Sequence, residues 1–168
     1  MVRKCFDFSA ENLLLFSLPR IVVIDEAIID ADPLTVFRAL IDEVNGRTHW
    51  WMPSLEAKPR GEKPFGQAGS VIDITVHVPG TTKITTRITE VIEGRAMTWE
   101  NFEGDYLGKE EWTFEPVAFG KTRVKSRWDV VPNRLLYRIF WFMAGRVHSR
   151  VMQAGFTGMN RYLTRRQP

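Results

Sequence analysis

The stretch EEWTFEPVAFGKTRVKSRWDV, residues 110–130, decides the fold. It alternates apolar and polar side chains on both sides of a short glycine-bearing turn, which is the pattern of two antiparallel strands with one buried face. One face of this hairpin collects the following residues: Trp112, Phe114, Val124, Ser126, Trp128 and Val130. We therefore predict a hairpin whose inner face is rich in aromatic rings and whose outer face is charged.

Strands of the same kind precede this hairpin. The run IVVIDEAII at 21–29 is rich in β-branched residues and predicts a first strand. After a stretch rich in Gly and Pro at 58–69, alternation resumes at 72–78 and at 84–92, where Ile84, Ile88 and Ile92 are assigned to the inner face. Met97 and Trp99 indicate a further strand. Because the connections are short, we predict an antiparallel sheet of about seven strands.

Helices are predicted on either side of these strands. Asp32 followed by Pro33 is a typical helix start, and apolar residues continue at helical spacing to Val44. The segment HWWMP at 49–53 predicts a short turn or second helix. Residues 133–163 predict a long helix with a break at Gly145. Its inward stripe is predicted to contain Val147, Val151, Ala154, Gly155, Met159 and Tyr162.

The chain is predicted to form one domain at 20–168 after an N-terminal extension at 1–19, in which an apolar cluster at 13–16 indicates a short helix. The 23 basic and 20 acidic residues are mixed along the chain, so their net charge of +3 does not indicate nucleic acid as a partner. A single cysteine, Cys5, excludes an internal disulfide and favours a reducing, cytoplasmic location.

Several kinds of site are not indicated by the sequence. The apolar run at 135–143 contains Arg138 and is shorter than the ~20 residues that a membrane span requires. His49, His77 and His148 are too scattered to predict a metal site. No phosphate-binding loop or nucleophile motif is visible, so we expect neither a metal nor a cofactor.

The order of elements and several local motifs resemble the START-like or SRPBCC superfamily, which includes polyketide cyclase/dehydrase-like proteins. The similar motifs are IDADPLTVFRAL at 29–40, Trp51 with Pro53, EEWTFEP at 110–116 and GKTRVKSRW at 120–128, and the resemblance spans residues 20–164. It implies an α+β helix-grip fold, in which a curved antiparallel sheet wraps around a long C-terminal helix. It also implies a cavity between them for lipids, polyketides or other apolar molecules.

The predicted inward faces give a candidate ligand-binding wall, although a solid aromatic core without a cavity is the alternative. The candidates are Trp99, Asn101, Glu110, Trp112, Phe114, Ser126, Trp128, Met143, Val147 and Val151. Binding or transport of a small hydrophobic ligand is the leading hypothesis, with Asn101, Glu110 and Ser126 setting its orientation. His148 lies close to the helix stripe, although a helix-flank histidine without a special role is the more frequent case.

Glu110 is the candidate for acid–base chemistry. A carboxyl group that is desolvated among aromatic rings has a raised pKa and can act as a general acid or base. The competing hypothesis for function is therefore a cofactor-free cyclase or dehydratase that uses Glu110. The alternative for the residue is that it reaches solvent or pairs with Arg or Lys near a strand end.

Residues 134–146, RLLYRIFWFMAGR, are apolar on nearly all sides of a helix, so one side needs a cover other than the sheet. That cover is the N-terminal extension, a second subunit in a homodimer, another partner protein, or a membrane surface contacted transiently through Arg134, Arg138 and Arg146. Burial within the chain or in a dimer is favoured over membrane contact.

Overall fold

The computed structural model describes residues 19–78 and 80–166. In this part of the chain, seven strands form one antiparallel sheet: β1 Ile21–Ile29, β2 Leu55–Arg60, β3 Val71–Val76, β4 Thr82–Ile92, β5 Ala96–Gly104, β6 Tyr106–Val117 and β7 Lys121–Pro132. Their spatial order is β1-β7-β6-β5-β4-β3-β2. The helices are α1 Pro33–Val44, α2 Leu135–Ile139 and α3 Trp141–Thr164, and a 3-10 turn at Ala118–Gly120 joins β6 to β7. The predicted α+β helix-grip architecture is confirmed.

The long helix α3 packs on β1 and on α1 and closes the core against the sheet. Its buried residues are Ala144, Val151, Met152, Gly155, Phe156, Met159 and Leu163. The ring of Phe156 contacts Trp112 of β6 edge-on, with 6.1 Å between the ring centroids. The prediction that Ala154 belongs to the inward face of this helix was wrong, because Ala154 is exposed. The helix face that contains Met152 and Phe156 packs against the sheet instead.

The helix break lies at Phe140 and not, as predicted, at Gly145. Phe140 has φ −100° and ψ 19°, which separates α2 from α3, whereas α3 runs unbroken through Gly145. A Cβ atom on Gly145 would lie 3.4 Å from a methyl carbon of Val23. This is an ordinary van der Waals distance, so the glycine neither ends the helix nor is required for the contact of α3 with β1.

The inner face of β4 changes sides near its end. The pairing of β4 with β5 shifts between Ile88 and Glu90, as in a β-bulge, so that the alternation moves by one residue. Val91 then packs against the core and Ile92 is 47% exposed. The inward assignment of Ile92 was therefore wrong, because strict alternation assumes a regular strand.

A buried carboxylate organises the turn after α1, which places Trp51 in the core. Oε1 and Oε2 of Glu43 each accept one backbone N–H bond of 2.9 Å, from Trp51 and Trp50 respectively. The indole N–H of Trp51 donates to the carbonyl of Val151 in α3 at 3.0 Å. A Cβ atom on Gly155 would lie 2.4 Å from Cε2 of Trp51, so this packing requires glycine at that position. The segment at 49–53 is thus a turn fixed by tertiary contacts.

The predicted division into an extension at 1–19 and a domain at 20–168 stays a prediction, since residues 1–18 lie outside the described residues, as do Pro79, Gln167 and Pro168. Across the residues that are described, no helix is both long enough and apolar enough to cross a membrane.

Candidate functional site

A cavity of about 390 Å³ lies between the inner face of the sheet and the helices α2 and α3. Aliphatic side chains of β2, β3 and β4 form one side of it, and aromatic side chains of β5, β6 and β7 form the other. The cavity exists because α3 contacts the sheet mainly through β1, which leaves a gap above the remaining strands. A predominantly apolar wall with a few polar groups is typical of a site for a small molecule.

Most of the wall residues predicted from the sequence do line this cavity, namely Trp99, Asn101, Glu110, Trp112, Trp128, Met143, Val147 and Val151. Phe114 and Ser126 do not. Phe114 lies farther along β6, where it contacts Phe37 of α1 edge-on with 5.5 Å between centroids. Ser126 is fully buried, and its hydroxyl donates a hydrogen bond to Glu110. It therefore holds the carboxyl group of Glu110 and does not line the cavity itself. Whether the lining residues bind a ligand stays a prediction.

Glu110 occupies the middle of an aromatic row on the sheet. Its neighbours across β5 and β7 are Trp99 and Trp128. Oε1 of Glu110 accepts a hydrogen bond of 2.9 Å from the hydroxyl of Ser126, and no described Arg or Lys pairs with this carboxyl group. Removal from water raises the pKa of the Glu110 carboxyl above its ordinary value of 4.5, although the nearby His148 and the bond from Ser126 oppose this rise. A neutral carboxyl group at this place can donate a proton or a hydrogen bond into the cavity.

A second titratable group faces the cavity from the helix side. Nδ1 of His148 in α3 lies 3.0 Å from Oδ2 of Asp25 in β1, and their side chains are only 13% and 5% exposed. The imidazole stacks on the indole of Trp128, with 4.4 Å between centroids and 11° between planes. Burial raises the pKa of the Asp25 carboxyl, but hydrogen bonds from His148 and Ser149 outweigh it, so that this pKa lies below its ordinary value. Asp25 is therefore ionised beside the imidazole.

Sequence reasoning missed this pair. Asp25 lies on the same inward face of β1 as Ile21 and Ile29. The other residues of that face are β-branched or small. A carboxylate among them was the signal in the sequence that could have indicated this site. His148 was noted near the helix stripe, but its partner lies 123 residues away in sequence. Only the packing of α3 on β1 brings the two together.

Three buried nitrogen atoms next to the wall make no hydrogen bond of ordinary geometry within the described protein. They are Nε1 of Trp99, Nε1 of Trp112 and Nδ2 of Asn101. The indole of Trp112 interacts with the carboxyl group of Glu110 and opposes the rise in its pKa. All three nitrogen atoms expose almost no surface, either to solvent or to the cavity. The polar side chains that line the cavity include those of Glu110 and His148.

Two tyrosines, Tyr106 and Tyr137, line the cavity on the side next to α2. Tyr106 contacts Trp128 and Tyr137, with centroid distances of 4.9 and 5.2 Å. Burial raises the pKa of Tyr106 to about 12. Its hydroxyl therefore remains protonated at neutral pH.

The apolar segment at 134–146 forms the rim of the cavity. Leu136, Phe140 and Met143 line the cavity, yet they are 59%, 49% and 48% exposed, so they border its opening. Exposed apolar side chains continue around this rim at Leu135, Ile139, Trp141 and Phe142. Arg134 pairs with the buried Asp105 at 2.8 Å, and Arg138 donates to the carbonyls of Pro132 and Asn133. Dimer, partner and membrane contact through this surface stay predictions.

No metal-binding group is assembled by the described residues, since no three side chains of His, Cys, Asp or Glu converge there. His77 lies outside the sheet's inner face, with Nε2 3.7 Å from Glu56.

Comparison with known proteins agrees with this architecture. The profile of a family described as polyketide cyclase/dehydrase and lipid transport matches residues 20–164. No curated protein matches the chain. Among solved structures, a Zhui aromatase/cyclase from Streptomyces sp. R1128 aligns with a TM-score of 0.70 at 18% identity, covering 88% of this chain and 96% of that one.

Two further structures share the fold. A START superfamily protein from Mycobacterium smegmatis has a TM-score of 0.67 and 12% identity, with 87% of this chain and 99% of that chain covered. A norcoclaurine synthase from Thalictrum flavum, solved with dopamine and hydroxybenzaldehyde, has a TM-score of 0.66 and 13% identity, with 99% of each chain covered. At these identities the likeness extends to the fold alone.

Proposed function

Because the chain belongs to the polyketide cyclase/dehydrase and lipid transport family, we propose that its cavity binds a small, mainly apolar molecule. The observation that carries this proposal is a cavity of about 390 Å³ whose wall is apolar except for a few polar groups. Glu110 and His148, which line the cavity, supply its polar groups.

The size and surface of the cavity support useful affinity. Its volume lies near the lower end of the roughly 300–1,000 Å³ of small-molecule sites. A ligand that loses about 300 Å² of apolar surface gains on the order of 7 kcal/mol before the cost of association. The norcoclaurine synthase of the same fold is described with dopamine and hydroxybenzaldehyde, which are compact oxygen-bearing aromatic molecules.

A retained molecule is the first test. Native mass spectrometry of protein purified from its own source should show an added mass that is released on denaturation. Val147→Phe, on the cavity wall, should abolish that added mass because the larger ring fills ligand space. Val22→Phe is the matched control, since Val22 is 48% exposed on the outer side of β1. Equal retention by both variants would count against binding in this cavity.

A second candidate function is a cofactor-free enzyme of the cyclase or dehydratase type. The observation that favours it is Glu110, a carboxyl group with a raised pKa on the cavity wall. With the retained molecule or its precursor as substrate, Glu110→Gln should reduce turnover by about two to four orders of magnitude while binding persists. A pure carrier should show no turnover with either protein.

A further inference from the structure

The Asp25–His148 pair gives the cavity a proton acceptor whose orientation is fixed. Since Asp25 is ionised and contacts Nδ1 of His148 at 3.0 Å, the proton of a neutral imidazole resides on Nδ1. Nε2 then carries the lone pair. No described residue makes a hydrogen bond to Nε2, and His148 forms part of the cavity wall. Stacking on Trp128 holds the plane of the ring.

We propose that His148 takes a proton from a ligand hydroxyl, so that the cavity binds a phenol or an enol as its anion, with Asp25 as a positioning residue. This inference rests on the proposed function and names the chemical class of the ligand. It requires an acidic hydroxyl on an apolar body, which a simple lipid chain or hydrocarbon lacks.

The proton transfer balances without a further reagent. The ligand O–H bond breaks as an N–H bond forms at Nε2, which produces an oxyanion and an imidazolium. The carboxylate of Asp25 neutralises the imidazolium through Nδ1–H.

The charged surroundings of His148 are defined by three strands and by α3 itself. Asp25 faces it from β1, and Glu110, whose charge interacts with it, faces the cavity from β6. On β7 the charged residues alternate with Ser126 and Trp128 and so lie on the outer face, where Asp129 pairs with Arg20 and Arg127. On α3 itself, Arg146 and Arg150 are exposed. The raised pKa of Glu110 favours its neutral form, which opposes a ligand anion less than a carboxylate would.

The test uses two probes of nearly equal shape, 4-nitrophenol and 4-nitroanisole. Only the phenol can ionise, and its anion has a distinct yellow absorption. In the wild-type protein, bound 4-nitrophenol should be mostly anionic at a pH about one unit below its pKa in water, a shift of roughly tenfold in its ionisation. 4-Nitroanisole should bind without a spectral change of this kind.

Variants assign the effect to the pair. His148→Gln should remove the anion signal and weaken 4-nitrophenol binding about tenfold or more relative to its effect on 4-nitroanisole binding. Asp25→Asn should raise the pH at which the bound phenol ionises, which a purely structural role would not do. His77→Gln is the matched control, because His77 lies on the outer face and is exposed.

Each outcome decides the question. If 4-nitroanisole binds and 4-nitrophenol binds only as the neutral phenol, the inference is overturned and the proposed function stands. An anion signal that persists in His148→Gln also overturns it. If neither probe binds the wild-type protein, both proposals fail for ligands of this size. If His148→Gln does not fold, the pH titration of bound 4-nitrophenol in the wild-type protein and in Asp25→Asn decides.

Discussion

Replacement of Glu110 by Gln should make the free energy of unfolding less sensitive to pH. Gln has nearly the same shape as Glu, and its amide oxygen can still accept the bond of 2.9 Å from Ser126. The change therefore removes the titration and keeps the packing. Burial raises the pKa of Glu110 in the folded protein above the ordinary value of 4.5, which the unfolded chain retains.

The sign follows from the two pKa values. Below pH 4.5 the carboxyl is protonated in both states, and the full contribution of Glu110 to stability is present. As the pH rises above this value, the unfolded chain loses the proton while the folded protein keeps it, so unfolding becomes more favourable. The wild-type protein should lose up to about 1.4 kcal/mol per pH unit relative to Glu110→Gln. This loss ends once the pH passes the raised pKa of the folded state.

Urea unfolding followed by circular dichroism at a series of pH values measures this difference. Glu111→Gln is the control, because Glu111 is the next residue on β6 and faces outward, 3.5 Å from Arg127. A difference between wild type and Glu110→Gln that does not change with pH, or that favours the wild type at higher pH, would refute the raised pKa of Glu110.

Three further predictions concern the frame of the cavity. Gly155→Ala should lower the free energy of unfolding by about 1–3 kcal/mol in thermal or urea denaturation, because a Cβ atom would lie 2.4 Å from Trp51; an equal or higher stability would contradict the packing. Glu43→Ala should lower the free energy of unfolding by at least about 2 kcal/mol, because the backbone N–H groups of Trp50 and Trp51 lose their acceptor. A decrease below about 1 kcal/mol would argue against the role of Glu43 in fixing this turn. Phe140→Ala should speed the release of bound 4-nitroanisole roughly severalfold in stopped-flow experiments, because Phe140 lies at the rim of the cavity. The free energy of unfolding should change by less than about 1 kcal/mol, since Phe140 is 49% exposed. An unchanged release rate would place the exit elsewhere.

Local patterns in the chain were sufficient for the architecture and for the aromatic side of the cavity wall. Alternation in β6 and β7 places Trp112 and Trp128 inward because successive side chains of a strand point to opposite faces. The Asp32 carboxylate caps α1 by accepting the N–H groups of Leu34 and Thr35, as its sequence position predicts. These features depend only on neighbouring residues and on backbone geometry. They can therefore be predicted from the sequence without knowledge of the tertiary structure.

The chemistry of the cavity depends on distant parts of the chain. Glu110 acquires its raised pKa from the surroundings that the sheet and α3 build around it, and His148 acquires its carboxylate partner from β1. The shift near Ile88 that turns Ile92 outward depends on the pairing of β4 with β5. No local pattern encodes these relations, because burial and ion pairing arise only when segments far apart in sequence come within a few ångströms of each other.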